Sequence, residues 1–265
     1  QWWANREYLF LDSQEWKDIF EKNSSSNYTP TQQEIESSKK AIEKRKQINN
    51  ILSTTYKEDN EVSEVINNID GRKLARPISK ASKVRAIVIH HTDTEYENSY
   101  EWVRNIYKYH SLNRQWWDIG YNYIIGYNWE IFEWRYGWET SVWAHDLRNN
   151  IWTIGISVMW NYNEKPVSKA QYDSLLKLTT YLVKKYDIDL STKTSFHKNC
   201  LENCELPIET NYMYPIIGHR DAGHTNCPWD ELYKEISIIF DKIAKETLSS
   251  TKYKNLKLFK KFDTY

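Results

Sequence analysis

The sequence predicts an α/β fold: a single domain with a mixed central β-sheet flanked by helices, preceded by a mainly helical N-terminal extension. Three observations carry this. The first 80 residues are polar, and "TPTQQEIESSKKAIEKRKQINNIL" opens on Thr and Pro and carries an Ile/Ala/Leu stripe on a charged background. At residue 84 the texture changes to "VRAIVIHH", a continuous apolar run that fits a strand buried on both faces. Beyond it, strand-length apolar runs interleave with helical patterns, the signature of α/β architecture.

The elements follow in order. Residues 1–80 read as a helical extension or linker and 81–247 as the main domain. After the first strand comes a helix in "SYEWVRNIYKYHSL", then strands in "YNYIIGY" and "EIFEW", then "TIGISVM". A long helix runs from Ser168 to about Tyr186, followed by a cysteine-bearing loop, the strand "YPIIGH" and a closing helix "DELYKEISIIFDKIAKE". Residues 248–265 form a basic, aromatic tail, expected to be a solvated end. There is no internal repeat.

Lys plus Arg equals Asp plus Glu, 36 against 36, so the overall charge gives no reason to expect a nucleic-acid partner or a polybasic membrane patch. No run approaches the roughly 18–20 apolar residues of a membrane-spanning helix. The chain opens on Gln rather than Met, so its start, with any signal peptide, is read as missing. A monomer is expected. Three cysteines are an odd count: Cys200 and Cys204 sit close together, while Cys227 stands apart. The spacing of the first two permits a disulfide, which would mean an oxidising compartment and export, but two free thiols in a surface loop fit it as well.

The stretch "IIGHRDAGHTNCPWDELY" concentrates the chemistry. An apolar strand ends in His219, and a short polar loop delivers Cys227 to a Pro at a helix start. The first strand of the domain ends in His90 and His91. In α/β sheets functional groups gather where strands end, so chain-distant histidines there can meet. Imidazole and thiolate are zinc donors, and three protein donors leave a fourth tetrahedral position open, as in a catalytic site. A strand-end histidine with only a structural hydrogen bond is the competing reading.

"VIHHT", "DIGYNYII", "TIGISVMWNY" and "GHRDAGHTNCP" occur in the order and approximate spacing of the type 2, zinc-dependent N-acetylmuramoyl-L-alanine amidases. The chain resembles this family, which includes phage lysozyme-type amidases and peptidoglycan recognition proteins, over about residues 84–246. The resemblance implies one Zn2+ held by His90, His219 and Cys227, with His91 supporting or structural. It implies that Tyr121 stands beside the scissile carbonyl as an oxyanion donor. Thr225 matches a position that is Lys in some members and Thr in the recognition branch, where it can hydrogen-bond the substrate or intermediate. His145 matches a groove histidine near the substrate. His110, His197 and His224 read as structural or surface residues.

The implied reaction is hydrolysis of the amide between N-acetylmuramic acid and L-alanine in peptidoglycan, in cell-wall remodelling or lysis. A bound zinc lowers the pKa of water toward about 7 and polarises the amide carbonyl. The sequence shows no evident Glu or Lys to protonate the leaving amine. The alternative is a non-catalytic peptidoglycan-recognition module; binding-only members of the family typically lack the cysteine ligand, and Cys227 is present. A third reading is a zinc-free structural wall anchor. An extracytoplasmic location, secreted, periplasmic or wall-associated, follows from the substrate.

The tryptophans stand in unexpected places. In "YIIGYNWEIFEW" two alternating runs flank Asn128-Trp129, where a two-residue hairpin turn favours Asn-Gly because both turn positions need positive φ. Trp117, Trp134, Trp138, Trp143, Trp152, Trp160 and Trp229 also occupy positions where the resembling family commonly has Gly, whereas Trp116 matches a family tryptophan. Glycine is only 7 of 265 residues, roughly 3% against a usual value of about 7%, and the 13 Trp would restore the usual share. Two readings stand: UGA codons that mean glycine translated as tryptophan, or a Trp-rich surface that stacks on sugars.

Overall fold

The computed structural model describes residues 62–69, 72–110, 114, 116, 118–133, 140–198 and 209–262. A five-stranded sheet lies at its centre. Strands β3 (Ala86–His91), β4 (Tyr123–Ile125), β5 (Ile131–Glu133), β6 (Thr153–Val158) and β9 (Ile216–Gly218) are ordered β5-β4-β6-β3-β9. β4, β6, β3 and β9 run parallel, and β5 joins the edge antiparallel, so the sheet is mixed as expected. Every residue of β3 and β6 is buried; β3 reads as an apolar run up to its two histidines, whereas β6 alternates Thr, Gly and Ser with Ile, Ile and Val.

Alternate residues of β3 feed two cores. Ile87 and Ile89 pack into the main cluster with α2 (Lys169–Lys185) and α4 (Asp230–Thr247), while Ala86 and Val88 face Trp152, Phe196 and Ile217. Helix α1 (Ser99–Lys108) covers β4 through Val103, Ile106 and Ile124. Local signals set the helix starts: the side chains of Asn98 and Ser168 accept from the backbone N–H groups of Glu101 and Gln171. A small sheet of β7 (Thr194–His197) and β8 (Thr210–Met213) and the short helix α3 (His219–Ala222) complete the domain.

Three expectations need correction. Part of the expected helical extension is an antiparallel hairpin, β1 (Val62–Ile69) and β2 (Arg72–Ala81), with Ile69 opposite Arg72 and the sequence Asp70-Gly71 between them. Asp-Gly is the dipeptide that two-residue hairpin turns favour, and it outweighs the polar composition. β2 is tied to the domain, since Ala81 N–H donates to the Thr140 carbonyl and Val142 N–H to that of Ser79. Residues 1–61 lie outside the described residues.

The basic tail is also not a solvated end. It contains helix α5 (Ser250–Phe262), whose Leu256 is buried in the main core with Tyr253 packed beside it. Two apolar residues three apart on a helix suffice to dock one face, whatever the charge on the other.

The third correction concerns the β4–β5 connection. It is a three-residue loop, Tyr127–Trp129, closed by Gly126 N–H to the Glu130 carbonyl, and Trp129 N–H returns to the Gly126 carbonyl. Positive φ falls on Trp129 alone (94°), the position that such loops give to glycine. Trp160 (145°) and Trp229 (64°) also have left-handed backbone. Trp143 and Trp152 do not: both are buried, and Trp152 fills the second core against Phe196. Trp117, Trp134 and Trp138 lie outside the described residues, as do Cys200 and Cys204 and so their candidate disulfide.

Candidate metal centre

The sheet register assembles the site. β3 and β9 pair in parallel with Ile89 opposite Gly218, so the next residue on each side is His90 and His219. Their rings lie 4.5 Å apart between centroids. Gly218 lets Tyr233 and Pro228 pack onto this strand end, since a Cβ there would come within 2.8 Å of the Tyr233 ring and 3.0 Å of Pro228. Asp221 holds the turn into α3 by accepting from Gly218 N–H (2.8 Å) and from the Tyr233 hydroxyl (2.6 Å).

Cys227 arrives from the other side of that turn. Arg220 N–H donates to the Cys227 carbonyl (2.7 Å), while the Arg220 guanidinium reaches the Asn226 carbonyl and Asp230. Thr225 Oγ1 accepts from Cys227 N–H (3.2 Å). The ligand atoms of His90, His219 and Cys227 then lie within 4.8 Å of one another. His91, on the opposite face of β3, turns Nδ1 to the Cys227 sulfur at 3.0 Å and its backbone N–H to the same atom at 3.5 Å. That gives the expected supporting role of His91 a geometry.

Electrostatics fit a cation. Burial holds His90 well below the usual histidine range, with the charge of His219 adding, and pushes His219 down to about 4. Both imidazoles are neutral at pH 7, the form that coordinates. Burial pushes the Cys227 thiol up to about 12, so an uncompensated thiolate is unfavourable there. A divalent cation beside the sulfur reverses that preference. The borderline-soft donor set and the closeness of the three atoms fit zinc.

Tyr121 stacks against His90 at 5.2 Å, and burial raises its phenol above the ordinary range, with Cys227 contributing; it stays a proton donor. Behind it His110 is buried, accepts from Gly120 N–H at Nδ1 (3.1 Å) and packs on Tyr121 and Trp116. Thr225 is exposed at the rim, and its bond to Cys227 leaves the hydroxyl proton uncommitted. His145 is where the expectation differs most. It is only 6% exposed, and its Nδ1 lies 3.1 Å from His90 Nε2, so it faces the candidate ligand rather than an open groove. Thr153, which sequence reasoning did not single out, stands at 3.3 Å from its other nitrogen. The signal was available: Thr153, Gly155 and Ser157 share one face of β6, and Ser157 is in register with His90.

The buried histidines make an acid-stability prediction. Burial takes His145 to about 3 and His110 to about 4, alongside His90 and His219. Unfolded, these groups protonate near 6.5, so the unfolded chain binds more protons below that pH. Stability is full above about pH 6.5 and is lost as pH falls toward about 4. The urea midpoint of metal-free protein is expected to hold from pH 8 to 7 and then decline. His110→Asn, which keeps an acceptor for Gly120 N–H, should flatten the decline, and a midpoint constant down to pH 4 would contradict this account.

An α/β sheet that gathers His, His and Cys donors at its strand ends defines a protein built around a candidate metal centre. The N-acetylmuramoyl-L-alanine amidase family model (Amidase_2) matches residues 80–230, and the chain belongs to this family. It is 31% identical over 170 residues to peptidoglycan-recognition protein SC2 of Drosophila simulans, covering 63% of this chain and 79% of that one. Against mouse peptidoglycan recognition protein 1 the identity is 29% over 157 residues, covering 58% and 74%. Among solved structures, the amidase LysC from Clostridium intestinale is 27% identical with a TM-score of 0.47, covering 62% of this chain and 89% of that one. Wild-type Drosophila PGRP-LB gives 24% and 0.48, covering 60% and 84%.

Proposed function

We propose that the protein is a zinc-dependent amidase that cleaves the bond between N-acetylmuramic acid and L-alanine in peptidoglycan, outside the cytoplasmic membrane. The observation that carries this reading is Cys227, which with His90 and His219 completes three donors within 4.8 Å. Three protein donors leave a tetrahedral ion one open position, the pattern of hydrolytic zinc. When bound, the ion supplies Lewis-acid activation of water and of the amide carbonyl. The side chains do the rest: His91 steadies the sulfur, Tyr121 donates to the oxygen that gains charge, and Thr225 offers a hydroxyl to the substrate at the rim. Among the described residues no helix is long and apolar enough to cross a membrane.

Tyr121→Phe is expected to lower kcat about 100- to 1,000-fold, the cost of one oxyanion donor, with zinc content and peptidoglycan binding retained. An unchanged kcat would remove Tyr121 from the reaction. The names of the curated relatives favour a second reading, a recognition module that binds without cutting. Sedimentation with insoluble peptidoglycan, run beside a count of newly freed amino groups, separates the two. Release that vanishes in Cys227→Ser supports the amidase; binding without release supports recognition.

A further inference from the structure

We infer that Thr153 and His145 form a buried relay that fixes the tautomer of His90 and aims its Nδ1 at the metal position. This rests on the ligand reading above for its purpose but not for its geometry. Thr153 Oγ1 lies 2.5 Å from the Asn149 carbonyl, which can only accept, so the single hydroxyl proton is spent there. Toward His145 Nε2, at 3.3 Å, the hydroxyl is therefore an acceptor, and His145 carries its proton on Nε2. His145 Nδ1 is left with a lone pair, which receives the Nε2 proton of His90 at 3.1 Å. His90 Nδ1 is then unprotonated, on the side where the Cys227 sulfur stands at 3.9 Å.

The chain is anchored at each link. His90, His145, Thr153 and Asn149 are all buried. The Asn149 side chain is clamped to β7 through the backbone N–H and carbonyl of His197. His145 N–H donates to Asn150 Oδ1 (3.0 Å), and Gly155 makes room for the ring, since a Cβ there would come within 2.5 Å of it. Partners of this kind orient a metal-bound histidine and are worth about 10- to 100-fold in metal affinity.

The test combines nitrogen-15 NMR of histidine-labelled, metal-free protein with zinc affinity from competition with a chromophoric chelator. Wild type is expected to show His90 and His145 both protonated on Nε2. Thr153→Val should scramble that preference and weaken zinc about 10- to 100-fold. His90 protonated on Nδ1 in wild type, or a Thr153→Val protein with unchanged tautomers and affinity, would overturn the relay. Wild type with the expected tautomers and no zinc binding would sustain the relay and reject the ligand reading.

A separate observation carries a second proposal: Trp129, Trp160 and Trp229 are glycine in the native protein, encoded by UGA. Of six non-glycine residues with positive φ among the described residues, these are three, and the others are Asp93, Arg148 and Asp187. Bulky side chains rarely occupy this region, whereas glycine does so without cost. Trp129 sits in the glycine position of a hairpin loop, Trp160 lies in the bend two residues past the end of β6, and Trp229 occupies the N-cap of α4 with no side-chain cap bond. Glycine is scarce in the chain by about the number of tryptophans present. Peptide sequencing by mass spectrometry of protein from its source cells is expected to read Gly at all three positions. Trp at any of them would overturn the proposal.

Discussion

Cys227→Ser is expected to abolish both zinc retention and amide hydrolysis while leaving the fold intact. The substitution swaps a soft, ionisable donor for a hydroxyl that does not deprotonate near neutral pH, in a set that has only two other protein donors. Zinc affinity should fall by more than about 100-fold, the upper end of what partners one bond further out contribute. The hydroxyl still accepts from His91, whose ring nitrogen and backbone N–H both reach the sulfur. Metal-free stability should therefore change by no more than about 1 kcal/mol, the scale of one hydrogen bond. Metal content after dialysis and the urea midpoint check the two parts. A Ser variant that keeps zinc and activity would remove Cys227 from the centre.

The second large effect separates backbone from side chain. Trp129 is 63% exposed, so truncation removes little burial, and Trp129→Ala and Trp129→Gly lose the same indole. Only Gly also removes the Cβ that meets the backbone at φ 94°. Trp129→Gly is expected to be more stable than Trp129→Ala by about 1–2 kcal/mol, the usual cost of left-handed backbone in an L-residue. The same pair at Trp229 should behave alike, because burial lost there is again common to both variants. Equal stabilities, read from denaturant midpoints, would show that the left-handed backbone does not govern these positions.

Much of the fold was legible because burial on two faces leaves a strong mark. β3 opens on a continuous apolar run, β6 brings Ile154, Ile156 and Val158 at every second position, and α2 and α4 carry clear helical stripes with capping or acidic starts. β7 and β8 are only four residues each and mostly half-buried, with Phe196 the one fully buried side chain, so they leave little pattern. The β1–β2 hairpin had one local signal, Asp70-Gly71, set in a polar background that resembled the helical extension before it. Leu256 docks α5 from within a lysine-rich segment that composition alone assigns to solvent.

The site divides in the same way. His90, His219 and Cys227 were legible because two strand ends and the short loop into α4 fix where they lie. The position of His145 depends on Gly155, in the following strand β6, whose missing Cβ admits the ring; no feature near residue 145 in the sequence announces it. A single sequence shows the histidine and the glycine but not that one fills the space the other leaves.

The most direct measurement is mass spectrometry of a purified muropeptide after incubation with zinc-loaded protein. The account predicts two products, an intact N-acetylmuramic acid-bearing glycan and a stem peptide with a free L-alanine amino terminus, and neither with Cys227→Ser. An uncut muropeptide, bound by protein that holds zinc, would contradict it and leave recognition as the function.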